Sequence, residues 1–219
     1  MFIETLSSNP EHFVYVVVTM VFSIVLHELA HGWAAIWQGD RTPIDTGHMT
    51  IDPRVHMGAI SLIMLALVGM CFGAMPVDPS RFRSRYGDAL VSAAGPLMNL
   101  LLAFLTLTGL SIWMVNVGGS NELSVQNGNL LQFLSVFGVS NIALFLFNLI
   151  PVPPLDGATI LASLHKGYAR ILRRVQDPRV FLVAFLVVFM VLRSSNYGLY
   201  DLASEVAGGY VRWVISILT

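Results

Sequence analysis

Long apolar runs alternate with short polar segments along this chain. Four of the runs hold almost no Asp, Glu, Lys or Arg: 12–39, 55–77, 89–121 and 123–155. The single exception is Glu28, in the first run. A helix needs roughly 20 mostly apolar residues to cross the hydrocarbon core of a bilayer, so these runs predict membrane-embedded segments. Two further apolar stretches, 180–192 and 199–219, predict additional helices towards the C-terminus.

The basic residues predict how these segments are oriented. Arginines cluster at 81–85, and lysine and arginine cluster at 166–179, whereas residues 115–130 contain neither type. Short loops rich in Lys and Arg face the cytoplasm in membrane proteins. We therefore expect the two basic loops inside the cell and the 115–130 loop outside.

Residues 55–77 raise a question of parity. If the N-terminus is outside, the first helix ends in the cytoplasm near Asp40, and the loop at 81–85 is cytoplasmic too. An even number of crossings must then lie between them, but the run is too short for two helices. We expect a re-entrant segment, which bends at Pro and Gly residues: Pro53, Gly58, Gly69, Gly73 and Pro76. A plain span with the N-terminus inside remains the alternative.

Composition supports a membrane protein. Of the 219 residues, 55% are hydrophobic and 11% are charged, with a mean hydropathy of +0.71. Soluble domains average about 25% charged residues, so a soluble globule, a disordered chain and a basic nucleic-acid binder are excluded. The lone cysteine, Cys71, excludes an intramolecular disulfide. We expect one integral membrane domain over 1–219, with an N-terminus that is not a cleaved signal peptide, because Glu4 and Glu11 replace its basic region.

A metal-binding motif lies inside the first apolar run. The sequence His27-Glu28-Leu29-Ala30-His31 is an H-E-x-x-H motif. Residues four apart share one helix face, so His27 and His31 can hold one zinc ion while Glu28 reaches a water on it. Ionisable groups at membrane depth are costly and usually functional. The alternative is two polar core histidines and a snorkelling glutamate.

A catalytic zinc needs a third protein ligand, and Asp156 is the candidate. It follows the proline-rich stretch 151–154, which must break the fourth helix, and broken membrane helices belong beside a cavity. Counted at about 1.5 Å per residue from the expected cytoplasmic ends, His27 and Asp156 lie at similar depth. The same residue could also cap the helix that resumes there.

Three motifs together resemble the site-2 protease family of intramembrane zinc metalloproteases. They are HELAH at 27–31, AGPLMN at 94–99 and NLIPVPPLDG at 148–157, and DPRVH at 52–56 followed by Gly58 is similar too. The likeness is to the compact bacterial type without PDZ or CBS domains. It implies a three-helix catalytic core, about 11–165, with a membrane-embedded β-like region and with Asp156 as third ligand. Helices at about 179–219 are additional.

Three other polar residues are candidates for substrate binding. Asn148 precedes the helix break and could donate to a developing oxyanion, or simply cap the helix. Asn99 is spaced with Gly95 for close helix packing, and a direct substrate contact is its alternative role. His56 is expected at the membrane surface, where it could orient substrate or have no function.

The sequence thus predicts an all-α polytopic membrane protein that hydrolyses peptide bonds within or beside transmembrane segments of other proteins. One Zn²⁺ per chain, a lipid bilayer and a transmembrane protein substrate are the expected partners, without nucleic acid. A bacterial inner membrane is the expected location, and the orientation set by the basic loops puts the active site nearer the cytoplasm. A zinc transporter and a catalytically inactive, membrane-binding pseudo-protease are the alternatives, and the oligomeric state is not predicted.

Overall fold

The computed structural model describes residues 2–117, 125–174, 177–194 and 198–219. Within them the chain forms ten α-helices and no β-strand. The helices are α1 (Thr5–Ser8), α2 (Pro10–Gln38), α3 (Thr42–Asp45), α4 (Pro53–Val68), α5 (Gly87–Val117), α6 (Val125–Asn148), α7 (Asp156–Leu164), α8 (Lys166–Arg174), α9 (Pro178–Ser194) and α10 (Leu199–Leu218). Part of the predicted external loop at 115–130 lies outside the described residues. The all-α fold is confirmed.

Three of the described helices, α2, α5 and α6, are long and apolar enough to cross a membrane. The first of them shows how local sequence sets its ends. The Asn9 side chain accepts a hydrogen bond from the His12 N–H, and Pro10 occupies the first helical position, where a missing N–H costs nothing. At the other end, Gly39 has a φ of 103°, the left-handed conformation that closes many helices.

Many large apolar side chains are exposed, and several polar ones are buried beside the apolar core. Helix α2 exposes Val14, Val18 and Phe22 while it buries Ser23 and His27. A soluble helix would bury such aliphatic and aromatic groups, because water disfavours them. Polar side chains inside and apolar ones outside are the arrangement expected in a hydrocarbon solvent, where unsatisfied polar groups are costly.

The segment between α2 and α5 begins and ends at the same end of α2. It leaves α2 at Gly39 and returns where the Arg83 N–H donates to the Gln38 carbonyl at 2.9 Å and the Ser84 N–H to its side chain at 3.1 Å. Between these points, Gly69 after α4 lies next to Phe2, near the opposite end of α2. The segment therefore goes in and comes back, which fits the re-entrant interpretation and not a plain span.

The second half of the segment, residues 70–78, is called the re-entrant return, and it is extended but is not a β-strand. After α4, residues 70–78 run back along it: the Phe72 N–H donates to Ser61 Oγ, which donates to the Phe72 carbonyl, and the Ala74 N–H donates to the His56 carbonyl. The β-like region implied by the resemblance is thus absent from the described residues. The physical reason is that the neighbour of the return segment is a helix, which offers no ladder of free backbone groups.

The C-terminal helix α10 packs on the core rather than standing apart. It contacts α5 and α6 through Ala203 and Ala207, both buried, and small residues let membrane helices approach closely. The Tyr210 hydroxyl lies 2.8 Å from Thr108 Oγ1 on α5. The predicted additional C-terminal helices are confirmed as α9 and α10.

Asp40 fixes both ends of the re-entrant segment beneath α2. Its side chain is fully buried. One oxygen accepts from the N–H and hydroxyl of Thr42, at 2.9 and 2.5 Å, and the other accepts from the Asp78 N–H at 2.7 Å. Burial works to raise the pKa of Asp40, but these hydrogen bonds and Arg81, 3.9 Å away, outweigh it and lower the pKa below its usual value.

Replacing Asp40 with alanine should destabilise the protein by about 2–5 kcal/mol, because two backbone N–H groups lose a charged acceptor. Thermal unfolding in detergent measures the loss, and Asp45→Ala, an exposed position on α3, is the control. The lowered pKa means that the contribution of Asp40 is present at neutral pH and is lost as acid protonates it. Equal melting temperatures for the two variants at pH 7 would contradict this role.

Candidate metal centre

Two histidines and one aspartate converge at the centre of the fold. The ligand atoms of His27, His31 and Asp156 all lie within 4.8 Å of one another. The two Nε2 atoms are 3.0 Å apart, and the carboxylate oxygens lie 3.2 Å from His27 Nε2 and 3.4 Å from His31 Nε2. The similar depth predicted for His27 and Asp156 is thus matched by direct proximity.

The helix break after α6 delivers Asp156 to this place. Helix α6 ends at Asn148, and Asp156 begins α7, so its side chain projects from a first turn. At Gly157 an added Cβ would come closer than 3.0 Å to the backbone of Leu149 and Ile150. Only glycine fits there, because the backbone that follows α6 lies directly against the start of α7.

Glycine also opens the space around the histidines. On α5, an added Cβ at Gly95 would lie closer than 3.0 Å to Nε2 of both His27 and His31. Close packing of the Gly95 region against the H-E-x-x-H helix, predicted from spacing, is therefore seen. The absence of a side chain at Gly95 leaves room for the two imidazoles.

The other ring nitrogen of each histidine has a defined partner. His31 Nδ1 lies 2.7 Å from the Val91 carbonyl, which can only accept, so Nδ1 carries the hydrogen. His27 Nδ1 lies 2.6 Å from Asn99 Oδ1, also an acceptor. When the rings are neutral, both Nε2 atoms therefore carry a lone pair. The two lone pairs face each other and the Asp156 carboxylate.

This donor set fits a divalent cation. Two lone pairs and a carboxylate within contact distance repel one another, and burial removes the water that would screen them. A cation between them turns that repulsion into coordination. Two histidines and one carboxylate, with a fourth position for water, are a ligand set of catalytic zinc sites.

Glu28 lies beside this group without belonging to it. Its side chain is buried, and the re-entrant return passes directly against it: an added Cβ at Gly73 would come closer than 3.0 Å to the Glu28 carboxyl group. Glu28 is thus placed between the convergent ligands and an extended stretch of backbone. That is a position from which a carboxylate can exchange protons with a water or a peptide group.

The three substrate-binding candidates lie in different surroundings. Asn99 is fully buried, and its side-chain amide forms hydrogen bonds with His27 and Asn141. It therefore lies in the core of the protein. The Asn148 side-chain amide donates to the Leu144 carbonyl one turn back on its own helix. His56 is buried within the protein, with Nε2 2.6 Å from the Thr50 carbonyl and Nδ1 without a partner among the described residues.

Sequence reasoning missed two residues that the structure brings to the centre. Asn141 is a fully buried amide in the charge-free run that forms α6, and its position in such a run was a usable signal. Gly73 was noted only as a bend. Its contact with Glu28 depends on the path of the re-entrant return, which no local pattern specifies.

Comparison with known proteins places the chain in a family. The protein-family model described as "Peptidase family M50" matches residues 15–122 and 106–193 of this sequence. "Putative zinc metalloprotease YwhC" of Bacillus subtilis is 35% identical over 178 residues, which are 80% of each chain. "Putative zinc metalloprotease Rip2" of Mycobacterium tuberculosis is 28% identical over 204 residues, 87% of this chain and 74% of that protein. No solved structure matches.

The family match covers the helix that carries His27 and His31, the helix that packs on it and the segment that carries Asp156. It confirms the resemblance to the site-2 proteases that the three motifs indicated. Three apolar helices of spanning length add that the protein is integral to a membrane. The chain belongs to peptidase family M50.

Proposed function

We propose that this chain is an intramembrane zinc metalloprotease that hydrolyses peptide bonds within or next to transmembrane segments of protein substrates. The observation that carries the proposal is the group of three convergent side chains beside Glu28, inside a protein that exposes many large apolar side chains. Family membership supports the hydrolytic chemistry. It also favours the peptidase over the zinc-transporter alternative.

In this proposal, His27, His31 and Asp156 hold one zinc ion. Bound zinc supplies Lewis-acid chemistry, lowering the pKa of a water and polarising the scissile carbonyl. The protein holds the ligands ready for it. Hydrogen bonds at both Nδ1 atoms orient the rings, and such partners also raise the basicity of the ligating nitrogen.

Glu28 is the proposed general base and acid. Its carboxylate accepts a proton from the attacking water and delivers it to the leaving amine, so each turnover restores its charge. Burial beside three ionisable neighbours holds it where water is scarce. Because Gly73 has no side chain, the backbone of the re-entrant return can lie directly against this carboxylate.

The re-entrant return is the proposed seat of the substrate backbone. Phe72 and Ala74 direct their N–H groups to α4, and in an extended chain successive residues point to opposite sides. The N–H and carbonyl of Gly73 therefore face away from α4. A substrate segment that has unwound from a helix can pair with them in extended form, next to Glu28.

Glu28→Gln should abolish hydrolysis and leave zinc bound, because the amide cannot accept the proton and the three ligands are unchanged. Cleavage of a single-span substrate is followed by mass spectrometry of the fragments, with zinc per chain measured on the same sample. Near-normal turnover of the metal-loaded variant would refute the general-base role and leave room for another proton acceptor.

Asp156→Ala should lower both zinc occupancy and activity, since two histidines alone make a poor site for a tetrahedral ion. Asp156→Asn should also weaken the site, because a neutral amide oxygen is a weaker ligand. Atomic emission on detergent-purified protein gives zinc per chain, with His27→Ala as the low reference and Asp45→Ala as an acidic control on α3. Full zinc in Asp156→Ala would mean that the third ligand is another group.

The topology follows from the basic clusters and the re-entrant segment. Positions 83 and 173 should both be cytoplasmic, with the active site nearer that side of a bacterial inner membrane. Single cysteines placed there, in a chain with Cys71 replaced, should resist an impermeant reagent applied to intact cells and react in inverted vesicles. Labelling of position 83 from outside would overturn the orientation.

A further inference from the structure

A chain of hydrogen-bonded amides leads from the backbone of α6 to the metal centre. Asn99 on α5 and Asn141 on α6 are fully buried, with no exposed surface. Asn99 Oδ1 lies 2.6 Å from His27 Nδ1, and Asn99 Nδ2 donates to Asn141 Oδ1 at 3.0 Å. Asn141 Nδ2 donates to the Phe137 carbonyl and to Ser23 Oγ, both at 2.9 Å.

The Phe137 carbonyl fixes the direction of the whole chain. A carbonyl oxygen can only accept, so the atom of Asn141 that faces it must be the NH₂ group. The Asn141 oxygen then faces Asn99, which must present its own NH₂ group in return. The Asn99 oxygen is left to face His27, and no second arrangement satisfies all four groups.

The orientation of the Asn99 amide determines the tautomer of His27. Facing an oxygen, His27 Nδ1 must carry the ring hydrogen, so Nε2 holds the lone pair that points at His31 and Asp156. If Asn99 were reversed, its NH₂ group would face Nδ1 and favour the tautomer with hydrogen on Nε2. That tautomer cannot bind a metal through Nε2.

We propose that Asn99 and Asn141 are positioning residues that hold His27 in its metal-binding tautomer and ring orientation. The proposal rests on the proposed metal site and deepens it. His31 has no need of such a device, because the Val91 backbone carbonyl that faces its Nδ1 has no alternative orientation. His27 is faced by a side-chain amide, which is reversible unless Asn141 fixes it.

The pair also couples three helices to the metal. Ser23 lies one turn before His27 on α2, so Asn141 connects α6 to the same face of α2 that Asn99 connects to α5. Two amides at this depth would be costly without partners, and each amide oxygen and nitrogen has one here. A role in packing alone would be served as well by apolar side chains of similar size.

The test measures zinc affinity by competition with a chelator, so it does not depend on proteolysis. Asn141→Leu keeps the approximate size and removes the groups that orient Asn99. It should weaken zinc binding by about 10–100-fold, the usual cost of losing a partner of a metal-bound histidine. Ser23→Ala is the matched control: the Phe137 carbonyl still anchors Asn141, so zinc affinity should stay close to wild type.

An Asn99→Asp background separates orientation from packing. A carboxylate offers an oxygen to His27 whichever way it turns, so Asn141 has nothing left to orient. Adding Asn141→Leu to Asn99→Asp should therefore cause little further loss of zinc affinity, although it is costly in the Asn99 background. A packing role predicts the same loss in both backgrounds, and that result would overturn the proposal.

Two references complete the experiment. If His27→Ala binds zinc normally, the metal site itself is misassigned. If Asn141→Leu binds zinc normally while His27→Ala does not, the metal site stands and the positioning role fails. Should Asn141→Leu not fold, nitrogen NMR of the wild-type histidines provides the answer. It should find hydrogen on His27 Nδ1, and hydrogen on Nε2 would refute the proposal.

Discussion

Two imidazole lone pairs and a carboxylate meet within a few ångströms inside a protein that faces hydrocarbon, and the fold has to hold them there. Each of these groups costs free energy when it is removed from water, and together they repel one another unless a cation lies between them. The two Nε2 atoms are 3.0 Å apart, and the hydrogen bonds at both Nδ1 atoms turn the two lone pairs towards the space that a cation would occupy. Charge, hydrogen bonding and helix packing are therefore coupled at this centre.

The architecture answers that problem with polar contacts inside and apolar surface outside. Helix α2 presents both histidines, α5 supplies Gly95 and the two acceptors behind the rings, and the break before α7 adds the carboxylate. The re-entrant segment then brings extended backbone past Glu28, tied at its ends by Asp40. In the proposed function this backbone is where an unwound substrate segment pairs, since the amides of a helical substrate are shielded from attack.

Much of this could be predicted from the sequence because membrane segments and metal motifs are short-range or sparse patterns. Charge-free runs indicated the long helices, H-E-x-x-H fixed two proximal side chains through helical periodicity, and Asp156 stood out in an apolar setting. The parity of the basic loops indicated the re-entrant segment. Its extended return past Glu28 could not be anticipated, because the contact of Gly73 depends on packing. The link from Asn141 to His27 was hidden too, since it joins residues far apart in sequence.

The central claim is that one zinc ion lies between His27, His31 and Asp156 with Glu28 beside it and not bound to it. Anomalous diffraction at the zinc absorption edge, on crystals of the zinc-loaded protein, locates the ion directly. The account predicts a single peak about 2.0–2.2 Å from Nε2 of both histidines and from an Asp156 oxygen. A peak bound to Glu28, or one away from the two histidines and Asp156, would contradict it.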